Sequence, residues 1–223
     1  MSQKTMKESL QSFAVKKVLH YLDEDPVKSL PKLLEWTDRF DKDNMFAGQR
    51  RVFREILAHP DNNWYRLILS LWSDIDPEVR KAFFENFIVN TSLIGSGRQA
   101  KAQAENNCNI PWAVLMDPTS ACNLHCTGCW AAEYGDKLNM SYETLEDIIR
   151  QGTALGTFMY IFSGGEPLVR KADIIRLCEA HPDCMFLAFT NGTLIDEKFA
   201  DDMLRVKNFV PAISIEGFEE ATD

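Results

Sequence analysis

Along the first hundred positions apolar residues recur at spacings of three and four, the pattern of helices that carry one apolar stripe. Trp64, Leu67, Ile68, Leu71 and Trp72 trace the clearest stripe; Leu10, Phe13, Ala14, Val18 and Tyr21 trace an earlier one, and Val79, Phe83 and Phe87 a later one. Start signals accompany them. Asp76-Pro77-Glu78 combines an N-cap, a proline at the first helical position and an acidic first turn, and Asp25-Pro26 marks a second start. About five helices are expected between Thr5 and Leu93, packed as a small bundle whose core is the aromatic stripe.

Gly95-Ser96-Gly97 and the polar residues up to Asn107 have the composition of a linker, which predicts a helical domain over 1–107 and a second domain over 108–223. In the second, short apolar runs alternate with helical patterns: strands are expected at 112–116, 158–162, 185–189 and 209–215, and helices at 142–155, 172–180 and 196–206. A β-α-β-α-β-α-β order with helices of this length predicts an α/β fold with about four parallel strands and right-handed crossovers. In such folds ligands gather at the carboxyl ends of the strands, so the loops that leave the strands are where function is sought.

Composition narrows the classes. No apolar run is long enough to cross a bilayer, and the amino terminus lacks the apolar core of a secretory signal, so a cytoplasmic protein with no membrane span is expected. The net charge of −9 is uneven, with 16 basic and 15 acidic side chains in residues 1–107 but 8 and 18 in residues 108–223. Neither part has the clustered lysine and arginine that a phosphate backbone requires, which argues against a nucleic-acid partner. Six cysteines could staple a secreted domain, yet three fall within eight residues, Cys122 to Cys129, which fits a reduced compartment better.

The loops after the expected strands are chemically distinctive. The first contains Cys122-x3-Cys126-x2-Cys129, the second Ser163-Gly164-Gly165-Glu166-Pro167, the third Thr190-Asn191-Gly192 and the fourth Ser214-Ile215-Glu216-Gly217. Three thiolates this closely spaced can wrap an iron–sulfur cubane and leave one iron without a protein ligand, unlike a ferredoxin, which closes its cluster with four cysteines. A structural zinc site would want a fourth ligand, for which His125 lies in the same loop. Gly164 and Gly165 allow close backbone approach, and Glu166 supplies an acceptor for a ligand ammonium. Cys108, Cys178 and Cys184 are expected to be buried free thiols.

Through Cys122-x3-Cys126-x2-Cys129 and Gly164-Gly165-Glu166-Pro167 the sequence resembles the radical S-adenosylmethionine (radical SAM) superfamily. The resemblance covers residues 112–217 and implies a partial (β/α) barrel of the radical SAM type. It further implies a 4Fe-4S cluster on Cys122, Cys126 and Cys129 whose free iron chelates the methionine end of SAM. Gly164, Gly165 and Glu166 would meet the SAM ammonium, and Asn191, Ser214 and Glu216 would supply ribose and carboxylate contacts. The implied chemistry is reductive cleavage of SAM to a 5′-deoxyadenosyl radical that abstracts hydrogen from an unknown substrate, with an external flavodoxin- or ferredoxin-type electron donor; no catalytic side chain is assigned. Two departures stand out. Gly128 precedes the last cysteine where many members carry an aromatic residue, and Trp130 follows it. Only four of six strands are readable, so the chain is expected to be the first part of a longer enzyme, with a further helix beginning at Phe218-Glu219-Glu220-Ala221. The competing reading is a non-catalytic iron–sulfur or zinc protein whose helical region binds a partner.

Overall fold

The four apolar runs pair as a parallel sheet in chain order, β1 (Ala113–Met116), β2 (Met159–Phe162), β3 (Met185–Thr190) and β4 (Phe209–Ile213). This is a computed structural model, and it describes residues 5–40, 47–129, 131, 134–135, 137–215 and 217. Register is continuous across the sheet. Leu115 sits beside Ile161, Ile161 beside Leu187 and Leu187 beside Val210, with Val114, Tyr160, Phe186 and Phe209 forming the neighbouring row on the opposite face. Because side chains alternate along a strand, these rows make two unlike faces. Tyr160, Phe162, Phe186 and Ala188 on one face are fully buried, and their rings stack with centroids 5.8–6.0 Å apart.

The chain separates into two compact units, residues 9–81 and residues 82–223 with 1–8. In the smaller unit lie most of α1 (Met6–Glu24), then α2 (Pro26–Phe40), α3 (Ala47–Ala58), α4 (Asn63–Ser73) and the first turns of α5 (Pro77–Phe83). The start signals hold: Asp76 Oδ1 accepts from Glu78 N at 2.8 Å and Val79 N at 3.1 Å, and Asp25 Oδ1 accepts from Lys28 N at 3.2 Å. The aromatic core does not. Trp64 and Leu67 are 62% and 56% exposed, and Leu10 and Phe13 are 64% and 60% exposed, whereas α1 buries Leu19 and Leu22. A helix with apolar residues on more than one side has several possible stripes, and the neighbours decide which is covered. Packing within this unit includes a stacked Tyr21–Trp36 pair, centroids 5.2 Å apart, and a buried Arg80 that donates to Leu71 O, Ile75 O and Asp23 Oδ1.

In the larger unit a twelve-residue π-helix, Phe84–Gly95, continues directly into α6 (Ser96–Asn106). The segment expected to be a linker is therefore helical up to Asn106, with Asn107 as its left-handed C-cap: Gly95 is buried, and Gln99, also buried, donates to Gly156 O at 2.9 Å. Its polar residues form the exposed face of a packed helix. The wide π turns are matched by side chains that bond five residues back, Thr91 to Asn86 O and Ser92 to Phe87 O. Three helices, α7 (Tyr142–Leu155), α8 (Lys171–Ala180) and α9 (Glu197–Val206), connect the strands. Their ends follow local chemistry: Ser141 caps α7 by accepting from Thr144 N, Gly156 ends it in the left-handed region, and Asp196 caps α9 by accepting from Phe199 N. Cys178 and Cys184 are buried as expected, but Cys108 is exposed, because it follows the end of α6 in a polar segment rather than lying in a packed element. No helix of the described residues is long and apolar enough to cross a membrane.

Candidate functional site

At the carboxyl end of the sheet the loop after β1 and the loop after β2 run side by side. Ser163 N donates to Met116 O at 3.0 Å, Gly165 N to Thr119 O at 3.0 Å and Glu166 N to Ala121 O at 2.8 Å, so the parallel ladder effectively continues past the strands into the cysteine loop. Glycine is required where they touch. A Cβ on Gly165 would lie 2.3 Å from Ala121 O and 2.5 Å from Ser120 O, both backbone atoms that cannot step aside. The glycines expected to admit a ligand thus first admit the cysteine loop itself.

The same loop is strapped from its other side. Ser120 N donates to Leu138 O, Met140 N to Pro118 O, and the buried Thr119 hydroxyl donates to Asn139 Oδ1 at 2.7 Å. Arg170 donates to Pro118 O and Met140 O and pairs with Asp173, tying the strap to the start of α8. The cysteines project beyond this gripped base, and all three are exposed. Cys126 and Cys129 bracket a turn in which Cys129 N donates to Cys126 O at 3.3 Å and Gly128 takes φ +77°. That left-handed residue explains why glycine stands where an aromatic residue was looked for: a side chain there would be strained. Leu124 N donates to Cys122 Sγ at 3.4 Å. Among the described residues no three His, Cys, Asp or Glu side chains are gathered as ligands of a single ion, and His125 is exposed. Three exposed thiols thus stand on a loop whose base is held by hydrogen bonds from both sides.

Glu166 lies in the loop after β2, and groups of the protein engage its carboxylate. Its side chain is 1% exposed and accepts three hydrogen bonds, Oε1 from Leu168 N at 2.9 Å and from the Thr190 hydroxyl at 2.7 Å, and Oε2 from Asn191 N at 2.8 Å. The carboxylate joins the loop after β2 to the end of β3 instead of facing open space. Asn191 is likewise engaged: its Nδ2 donates to Asn123 Oδ1 at 3.0 Å, and its Oδ1 accepts from Thr193 N and the Thr193 hydroxyl. Ser214 is exposed just beyond β4, with its N–H bonded to Thr190 O at 2.9 Å. Glu216, Trp130 and the helix start read at 218–221 lie outside the described residues. Cys122, Gly164, Gly165, Glu166 and Asn191 are therefore brought together at one edge, with Ser214 one strand away. Thr119, Asn123 and Thr193 were not singled out from sequence, and Thr190 only as part of the loop after the third strand, although Asn123 adjoins Cys122 and Thr193 completes an Asx-turn signature with Asn191.

A cavity of about 470 Å³ opens beside the glycines, lined by Asp117, Ser120, Lys137, Leu138, Gly164 and Gly165 among others, a size that suits a small organic ligand. A larger one of about 660 Å³ lies away from them, among Phe158, His181 and Cys184, and none of the residues read as cluster or SAM contacts lines it.

Comparison with known proteins agrees with the motif. Residues 116–223 match the model of the Radical SAM superfamily. A GTP 3',8-cyclase of Geobacter sulfurreducens is 38% identical over 93 residues, which are 39% of this chain and 28% of the cyclase. An Fe-coproporphyrin III synthase of Methanosarcina barkeri is 33% identical over 116 residues, 49% of this chain and 28% of the synthase. The crystal structure of Streptococcus suis SuiB bound to precursor peptide SuiA aligns over 57% of this chain and 29% of that one, at 24% identity and a TM-score of 0.46. The chain thus spans little more than a quarter of the length of these two curated relatives.

Proposed function

We propose, from the premise that residues 116–223 are a domain of the Radical SAM superfamily, that this chain binds a 4Fe-4S cluster through Cys122, Cys126 and Cys129 and serves reductive cleavage of SAM. The single observation that carries the reading is the junction of the cysteine loop with the Gly164-Gly165-Glu166 loop, made by Gly165 N to Thr119 O and Glu166 N to Ala121 O at the carboxyl end of the sheet. Bound there, cluster and SAM supply the electron transfer and carbon–sulfur cleavage that produce a 5′-deoxyadenosyl radical. The residues of the chain hold and orient. The thiolates fix the cluster, the peptide groups of Gly164 and Gly165 line the cavity where a methionine ammonium would find carbonyl acceptors, and exposed Ser214 is within the same edge for a polar contact. Glu166 and Asn191 act through the loops they pin, and Glu216 completes the proposed SAM contacts.

We read residues 1–107 as a helical addition to a core over 108–223; residues 82–107 of that addition fall in the same compact unit as the sheet. A cytoplasmic setting and a low-potential flavodoxin- or ferredoxin-type donor belong to the same proposal. The relatives' names point to unlike substrates, so the shared segment is taken to supply the common step and not the choice of substrate. Anaerobic reconstitution with iron and sulfide tests the reading: a reduced-cluster electron paramagnetic resonance signal that changes when SAM is added is expected. A colourless protein that takes up one tight zinc ion would overturn it in favour of a structural metal site.

A further inference from the structure

We infer that Asn123, Asn191 and Thr193 form a clasp that positions the first cysteine of the loop, so that Asn191 works on the cluster loop rather than on the cofactor. Only the consequence for a cluster rests on the function proposed above; the clasp itself is geometry. Three side chains close a ring of hydrogen bonds: Asn123 Nδ2 donates to Thr193 Oγ1 at 2.7 Å, the Thr193 hydroxyl donates to Asn191 Oδ1 at 2.7 Å, and Asn191 Nδ2 donates back to Asn123 Oδ1 at 3.0 Å. The ring admits one direction. Asn191 Oδ1 also accepts from the backbone N–H of Thr193 at 3.0 Å, which fixes which end of that amide is oxygen and thereby orients the other two groups.

Behind the ring the backbone N–H of Asn191 is held by buried Glu166, whose own N–H is bonded to Ala121 O. Cys122 therefore stands between two anchors, Ala121 bound to the loop after β2 and Asn123 bound to the loop after β3. Cys126 and Cys129 lie further along, on the turn closed by their own hydrogen bond. Of the three thiols, the first is the one whose backbone is held on both sides by loops from other strands. Removing the Asn123 side chain breaks both bonds by which the ring reaches the cysteine loop, and removing that of Asn191 breaks one of them together with the acceptor that orients the Thr193 hydroxyl.

The test is peptide-resolved amide hydrogen exchange on the full chain without iron, followed by the rate at which a ferrous chelator strips the reconstituted protein. Asn123→Ala and Asn191→Ala are each expected to speed exchange across 120–129 and to speed iron removal by about fivefold, the scale of one net hydrogen bond, with the initial iron and sulfide load unchanged. The double variant should be no faster than either single one, because both remove the same ring. Thr193→Ser keeps both roles of the hydroxyl and should match the parent, while Thr193→Val, near in shape, should behave as Asn123→Ala; this pair decides the matter if Asn191→Ala fails to fold. Parent-like exchange of the cysteine loop in Asn123→Ala, or single effects that multiply in the double variant, would overturn the clasp. If the parent takes up no cubane, the proposed function falls, and exchange in the iron-free protein still decides whether the clasp exists.

Discussion

Two populations of cysteine follow from burial alone. Desolvation pushes the Cys184 thiol up to about 12 and holds the Cys178 thiol well above its ordinary value, so neither offers a thiolate near neutral pH. Cys122, Cys126 and Cys129 are exposed. Replacing any of these three with Ala is expected to abolish cluster assembly, whereas Cys178→Ala should leave iron per chain as in the parent; equal iron in Cys126→Ala would refute the ligand assignment. The cysteines were legible as a candidate ligand set because their spacing is a local feature of the sequence. Glu166 was legible as a marked residue but its hydrogen-bond partners were not, because Thr190 and Asn191 lie some two dozen residues away and meet it only once β2 and β3 pair. Its three donors set a second expectation. Glu166→Gln would turn an amide NH2 toward at least one of them, leaving a buried donor unpaired at a cost of about 1–3 kcal/mol. Urea unfolding reads this directly, and a midpoint like the parent's would mean that the three bonds contribute nothing net.

Where sequence chemistry is local, elements were read almost to the residue; where neighbours choose, they were not. Helix α7 was expected at 142–155 and spans those residues, since Ser141 and Gly156 fix its ends through their own side chain and backbone. The first-half helices carry several apolar stripes, and tertiary packing selects Leu19 and Leu22 over Leu10 and Phe13 in α1. The start of α1 also holds a titratable device. Thr5 and Glu8 cap it reciprocally, Thr5 N to Glu8 Oε2 at 2.7 Å and Glu8 N to Thr5 Oγ1 at 3.3 Å, and Arg98 of α6 donates to both oxygens of Glu8. The Arg98 guanidinium holds the Glu8 carboxyl down at about 2, against an ordinary value of 4.5. A carboxyl lowered on folding stabilises the fold fully above its unfolded value, and that contribution is lost as pH falls from about 4.5 through about 2. The parent should therefore exceed Glu8→Gln in thermal stability near neutral pH, with the gap narrowing as the solution is acidified through that window. A gap that stays constant down to about pH 3 would show that the charge plays no part.

At the scale of the molecule the α/β order, the count of four strands and their parallel direction were all legible, because alternating apolar runs and amphipathic helices leave few topologies open. What remained hidden is that the two faces of the sheet are not equivalent. A parallel sheet is ordinarily covered on both faces, and its strands read as nearly continuous apolar runs that do not distinguish one face from the other. Here Phe162 is fully buried while Phe189, one strand position beyond Phe162's register partner Ala188 and so on the opposite face, is 49% exposed, and Leu115 is 57% exposed. Phe162 packs against Phe186 with rings nearly parallel, centroids 6.0 Å apart, so its removal opens a void inside a packed layer. Phe162→Ala is expected to cost about 3–5 kcal/mol, the range of a large aromatic lost from a core. Phe189→Ala removes a ring that water already reaches, and its cost should stay near or below about 1 kcal/mol. Chemical denaturation of the two variants of this 223-residue chain measures the difference. Equal costs would mean that the open face is covered in solution, and that the apolar rows on both sides of the sheet are core.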